Sequence, residues 1–257
     1  MAETILYEKQ GNIVTMTLNR PDSLNAINRL LRKELADAIV EFDGDPEAYV
    51  AIITGAGRAF CSGRDLKERA DDNAAGIQAD ASASMTKESP FMWPRTWKPM
   101  IAAVNGFALA GGWSIAQMCD LRIASEEAKL GISETRWSLL PPFGAILPKQ
   151  MNLAAVLELV LTAQPVTAQR AYDVGMVTEV VPKSQSVAKA KELARRICRF
   201  PSSYLEYHKL RVFQSLGLPL DYGMSIEQRF PPQEGEGYRS GLERSLGRNL
   251  SRDTTAR

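Results

Sequence analysis

Cysteine and histidine are scarce in this chain. Its 257 residues include three cysteines, Cys61, Cys119 and Cys198, far apart and in no Cys-x-x-Cys pair, so neither a disulfide framework nor a zinc knuckle is indicated. His208 is the only histidine, which excludes a histidine-based metal cluster. It stands among Tyr204, Tyr207 and Arg211 and reads as an ordinary helix-face residue. No apolar run approaches the ~20 residues that span a bilayer, and no secretory or sorting address is read. An excess of one charge is also missing. Lys plus Arg number 31 against 30 Asp plus Glu, a formal +1, which gives nothing to neutralise a phosphate backbone. With a hydrophobic fraction of 45% and a charged fraction of 24%, the composition is that of an ordinary globular protein. A cytoplasmic enzyme or binding protein with no nucleic-acid or membrane partner is expected.

What is present is an α/β pattern. Val14, Met16 and Leu18 alternate with threonines after Gly11-Asn12, which predicts an N-terminal hairpin with the β-prone Ile5 to Tyr7. Leu31, Leu35, Ala38, Ile39 and Phe42 fall at helical spacing until Gly44 and Pro46. Val50 to Thr54 is the β-branched run of a strand buried on both faces. Residues 67–97 are weakly patterned and predict a helix flanked by mobile loop. Beyond them, strands are expected at Met100 to Val104, Leu121 to Ser125 and Val177 to Val181, with a short helix over Trp113 to Met118. Val156, Leu157, Val160 and Leu161 form a helical stripe, and Thr167 caps a helix closed by Gly175. No repeat of fixed period is apparent. Without a linker or composition break, the reading is one α/β core over residues 1–195 and a helical C-terminal region over 196–257.

Two glycine turns stand out, Cys61-Ser62-Gly63-Arg64-Asp65 and Ala108-Leu109-Ala110-Gly111-Gly112, each between an expected strand and an expected helix. Backbone N–H groups at such junctions are unpaired, so one from each turn could converge on a developing negative oxygen. The plainer alternative is that the glycines only permit tight turns. Neither turn fits the dinucleotide fingerprint, and Gly-Lys-Ser/Thr is absent, so NAD and ATP lose support.

Further residues carry a resemblance. Asn19-Arg20-Pro21, Leu24-Asn25-Ala26, the run Gly57 to Leu66, the run Lys98 to Gly112, Cys119 to Ala124, Gly131-Ile132-Ser133-Glu134, Leu161-Thr162 and Ala171 to Gly175 follow one another as they do in the enoyl-CoA hydratase/isomerase (crotonase) family. The chain resembles that family over roughly residues 5 to 250. The resemblance implies a crotonase-like superhelix of ββα turns, a helical C-terminal region that mediates trimer contacts, and a homotrimer or dimer of trimers. It implies acyl-CoA thioester substrates, with CoA as part of the substrate and no separate cofactor or metal. It also implies that the thioester oxygen is held by the amides of Arg64 and Gly111. CoA contacts carry over to Leu24, Ala26, Ala59, Cys61, Gly63, Asp65 and Leu66.

Proton transfer in the family's hydratases uses two glutamates. The second matches Glu134, but the first position is Ser114, which cannot serve as a carboxylate base. Two smaller departures accompany it: Pro142 where a glycine is usual, and Ala110 in place of the first of three glycines. A single glutamate resembles members that shift a double bond, and also the hydroxycinnamoyl-CoA hydratase-lyases, which pair a serine with a Ser-Glu further on. A thioester hydrolase and a non-catalytic acyl-CoA-binding protein are the other readings. Retention of Glu134 with both glycine turns argues against mere binding. Asp120 and Asp65 are expected to hold backbone amides, and Trp113 is the best of four tryptophans to line an acyl pocket.

Overall fold

A computed structural model describes residues 4–76, 93–138 and 144–228. Contacts divide the chain into two compact units, Met1–Lys209 and Leu210–Arg257. The first unit opens with the expected hairpin, β1 (Ile5–Gln10) antiparallel to β2 (Ile13–Leu18). Next comes α1 (Arg29–Gly44), whose N-cap Asn28 accepts the Leu31 amide. Its stripe of Leu31, Leu35, Ala38, Ile39 and Phe42 is buried where the helix packs on the hairpin. Buried Lys98 closes the other end. Its ammonium donates to Phe42 O at 3.0 Å and Asp45 O at 2.6 Å, carbonyls around the helix C-terminus.

Three chain turns of one kind then follow. First, β3 (Val50–Gly55) leads into β4 (Ala59–Cys61) and α2 (Leu66–Ala74). Second, β5 (Met100–Val104) leads into β6 (Phe107–Leu109) and α3 (Gly111–Met118). Third, β7 (Leu121–Ser125) leads into β8 (Lys129–Gly131) and a single 3₁₀ turn, Glu134–Trp137. Then come α4 (Leu147–Gln150), α5 (Leu153–Thr162), β9 (Val166–Thr167), α6 (Ala168–Asp173), β10 (Glu179–Val181), α7 (Ser186–Ile197), α8 (Ser202–Ser215) and, in the second unit, α9 (Leu220–Gln228).

Each ββα turn lays one strand on each of two sheets. The six-stranded sheet runs β1-β2-β3-β5-β7-β10, parallel from β2 onward; the four-stranded sheet runs β4-β6-β8-β9, with β4, β6 and β8 parallel. The core lies on the larger sheet, where Val50, Ile52, Ile101, Ala103, Ile123 and Val181 meet Ala190 and Ala194 of α7. Apolar side chains at every position of β5 follow from burial on both faces. Thr167 caps α6 by accepting the Arg170 amide, as its position predicts. Asp120 holds structure: its Oδ2 accepts the Met100 amide and pairs with Lys209, both at 2.8 Å.

Differences from the sequence reading lie mostly at boundaries. α3 starts two residues before Trp113, and the last strand is shortened to Glu179–Val181. The four-stranded sheet is the larger difference, because strands of two or three residues carry no readable alternation. Among the described residues no helix is long and apolar enough to cross a membrane.

Candidate active site

Because β4, β6 and β8 are adjacent and parallel, the segments leaving their C-terminal ends emerge on one edge of the small sheet. After β4 comes the turn through Arg64, after β6 the start of α3, and after β8 Glu134. Each carries one of the residues singled out above.

The first turn is fixed by a parallel bridge between Ile27 and Arg64. Ile27 N–H donates to Gly63 O at 2.8 Å, and Asp65 N–H donates to Ile27 O at 3.0 Å. These bonds flank Arg64 and leave its own N–H facing the other way. On the second turn, Ala110 N–H donates to Gly131 O at 2.9 Å. Gly111 opens α3, so its N–H has no intrahelical partner. The two turns pack closely together. A β-carbon on Gly111 would stand 3.9 Å from Arg64 N, and one on Gly63 would stand 3.5 Å from Gly111 N. Neither N–H has an acceptor among the described residues.

Close approach explains the glycines. A β-carbon on Gly112 would stand 2.1 Å from Cys61 O, so the first turn of α3 sits against β4 only without a side chain there. Ala110, by contrast, holds φ +51° and ψ −124°, a conformation suited to glycine and strained for alanine.

A second layer supports the first turn. Leu24 and Asn25 both adopt positive φ, +51° and +55°. Asn25 Nδ2 donates to Ala56 O at 2.9 Å and Ala59 O at 2.8 Å, while its Oδ1 accepts the Arg20 amide at 2.8 Å. Arg20 pairs with Asp65 at 2.9 Å and donates to Ala26 O. Asp65 in turn caps α2 by accepting the Lys67 and Glu68 amides. Burial pushes the Asp65 carboxyl up, but Arg20 and the two amides outweigh it and hold it below its ordinary range. Sequence reasoning assigned Arg20 no role, although an arginine five residues before the Asn25-Ala26 step was visible.

Among the expected CoA contacts, Ala26, Ala59, Cys61 and Gly63 are buried, Leu24 and Asp65 are half-buried, and Leu66 is exposed. Burial pushes the Cys61 thiol up to about 12, which leaves it unreactive. Glu134 is 8% exposed, and its Oε2 has no hydrogen-bond partner among the described residues. Burial raises its carboxyl above the ordinary value, against hydrogen bonds from its own amide and that of Ser133. Ser114 lies one helical turn after Gly111, fully buried, with Oγ likewise unpartnered among the described residues. Trp113 is wholly buried beside it, whereas Trp137 is exposed. His208 is exposed, and no group of three metal-ligating side chains occurs among the described residues. Pro142 lies outside the described residues.

Two neighbouring acceptor-free amides and, after the adjacent parallel strand β8, a partly desolvated carboxyl suit chemistry in which an oxygen gains charge while a proton moves. The profile of the family described as enoyl-CoA hydratase/isomerase matches residues 8–231. A probable enoyl-CoA hydratase of Mycobacterium bovis is 36% identical over 230 residues, 88% of this chain and 88% of that protein. A short-chain-enoyl-CoA hydratase of Clostridium acetobutylicum is 33% identical over 226 residues, 87% of this chain and 86% of that protein. The crystal structure of an enoyl-CoA hydratase from Bacillus anthracis superimposes with a TM-score of 0.85 at 30% identity, covering 95% of this chain and 96% of that one.

Proposed function

The chain belongs to the enoyl-CoA hydratase/isomerase family, and from that premise we propose a mechanism for it. It is an acyl-CoA enzyme of the hydratase/isomerase type. In the proposed mechanism the thioester oxygen of the substrate accepts hydrogen bonds from the Arg64 and Gly111 amides. The Glu134 carboxylate takes a proton, either from the carbon beside the thioester or from water adding to the double bond. The displaced electron pair passes to the thioester oxygen as an enolate, and the Glu134 acid returns its proton to carbon. Fixed N–H dipoles stabilise the oxyanion without reorganising, and the proton needs no metal or redox cofactor. Ser114 donates a hydrogen bond to water or substrate but takes no proton.

The observation that carries this reading is the pair of acceptor-free amides on neighbouring turns. CoA is proposed to lie along residues 24–26 and 58–66. Incubating the enzyme with a panel of acyl-CoA thioesters in deuterated water tests the mechanism. Deuterium entering the carbon beside the thioester is expected, and its absence from every substrate that is turned over would remove the enolate.

We also propose that subunits associate, as a trimer or a dimer of trimers. In support, Leu153, Leu157 and Leu161 follow one another at four-residue spacing on α5 and are 61%, 44% and 73% exposed. An apolar stripe of that kind favours a covering partner.

A further inference from the structure

Folded proteins leave few buried polar side-chain atoms without hydrogen bonds, yet several gather on and against α3. Ser114 Oγ, both Nε2 and Oε1 of Gln117, and Oε1 of Gln150 have no partner among the described residues. Gln117 is the sharpest case, 1% exposed with both halves of its amide unused.

Helical geometry fixes where that amide lies. Gly112 marks the side of α3 that presses on β4. At 3.6 residues per turn, Gln117 lies about 140° round the helix from Gly112 and Ser114 about 160°, so both are turned away from β4. Near the C-terminal end of α3, Gln150 of α4 donates from Nε2 to the Gln117 carbonyl at 3.3 Å. Gln117 is also deeper than Gly111 by six residues, about 9 Å along the axis, and a helical side chain leans back toward the N-terminus. Its amide therefore hangs over the stretch beyond Ser114. The inference rests on the reading that Gly111 holds the thioester oxygen, which places the distal part of the acyl group along that stretch.

We propose that Gln117 is a specificity-determining residue whose carboxamide pairs with a hydroxyl on the distal part of the acyl group. An amide with both halves open presents one kind of donor and one acceptor, and a hydroxyl answers both. A carboxylate can only accept, and an alkyl terminus answers neither, leaving the amide buried and unpaired. A site built around a substrate hydroxyl rejects the analogue that lacks it far more strongly than an apolar pocket rejects a missing methylene.

The test is titration calorimetry of the wild-type enzyme and of Gln117→Met with two saturated ligands, heptanoyl-CoA and the isostere whose terminal methyl is replaced by hydroxyl. Wild type is expected to bind the hydroxyl ligand at least roughly tenfold more tightly, and Gln117→Met to reverse the order. Thermal melting of Gln117→Met should match or exceed wild type, because methionine fills a similar volume without an unpaired amide. Equal binding by wild type, a preference that survives Gln117→Met, or a lower melting temperature with the preference intact would each overturn the proposal. Uptake of solvent deuterium at the carbon beside the thioester is measured alongside, for wild type with both ligands. Its absence from both would sink the proposed reaction, whereas uptake without the hydroxyl preference would sink the specificity role alone.

Discussion

The amide nitrogen of Arg64 lies 3.9 Å from the point where a β-carbon on Gly111 would stand, although the two residues belong to successive turns of the chain. The approach follows from the parallel pairing of Ala59 with Phe107 and Cys61 with Ala108, whose register shifts between Ala59 and Cys61. Neither N–H has an acceptor among the described residues, which is what the proposed oxyanion role requires of both.

Replacing Gly111 by proline tests this pairing most directly. Proline is tolerated at the first position of a helix and removes an N–H that α3 does not use, while its β-carbon would stand 3.0 Å from Ile27 Cδ1, the movable end of a side chain. A folded Gly111→Pro enzyme is expected to lose roughly 10²–10³ in kcat, the usual effect of deleting one oxyanion donor. Steady-state kinetics beside a circular dichroism spectrum decide it, and full activity in a folded variant would acquit the Gly111 amide.

Glu134 predicts a linked change in rate and stability. Burial raises its folded pKa above the ordinary 4.5, so the folded protein keeps this proton to higher pH than the unfolded chain does. Stability therefore falls as pH rises through the raised value, and the penalty is complete above it. Glu134→Gln should melt higher than wild type near pH 8, with the advantage shrinking towards pH ~4, where both states hold the proton. The same variant should lose ~10²–10⁴ in kcat. Wild-type activity should rise with pH as the carboxylate forms. A melting advantage that grows on acidification would contradict the assignment.

Ser114→Ala should be mild by comparison. Its hydroxyl has no partner among the described residues, so its removal should not lower the melting temperature. One neutral hydrogen bond to water or substrate is worth about 1 kcal/mol, five- to tenfold in kcat/KM. A dead Ser114→Ala beside an active Glu134→Gln would instead indicate serine chemistry and a hydrolase.

Ala110→Gly should stabilise the enzyme. Alanine at φ +51° and ψ −124° is strained, and glycine relieves that strain while adding some freedom to the unfolded chain. A net gain of about 1 kcal/mol in urea unfolding is expected. A loss would mean that the alanine methyl packs better than its backbone suggests.

Assembly is tested at Leu157, 44% exposed in the middle of the α5 stripe. Leu157→Arg places a charge within an apolar contact and should lower the mass seen by analytical ultracentrifugation while leaving the circular dichroism spectrum unchanged. An unaltered mass would exclude α5 from the subunit contact.

Much of this was legible in the residues. Alternation at Val14, Met16 and Leu18, the stripe from Leu31 to Phe42 and the cap at Thr167 each reached the structure as read, because each is a local rule acting over one element. The glycine turns were legible as turns. Their convergence was not, since it depends on a small sheet whose strands β4, β6 and β8 have three residues each, too few for alternation to show. Nor was Gln117 visible: a glutamine inside a short apolar helix looks like any surface position until burial reveals that it has no partner. Ordered motifs singled out Glu134, but its desolvation arises from packing and has no signature in neighbouring residues.

The ββα turns also set a timetable for biosynthesis. The two acceptor-free amides come from the first and second turns and the buried carboxyl from the third, so a translating chain acquires its proposed acid/base last. Meanwhile Val50, Ile52 and Ile101 wait for Ala190 and Ala194 to cover them, about 90 to 140 residues later in synthesis. At ribosomal rates that gap amounts to several seconds or more of open apolar sheet. Until α7 has emerged the nascent chain accordingly exposes apolar sheet, and a ribosome stalled before that point would present an aggregation-prone face on a chain that already contains every proposed catalytic group.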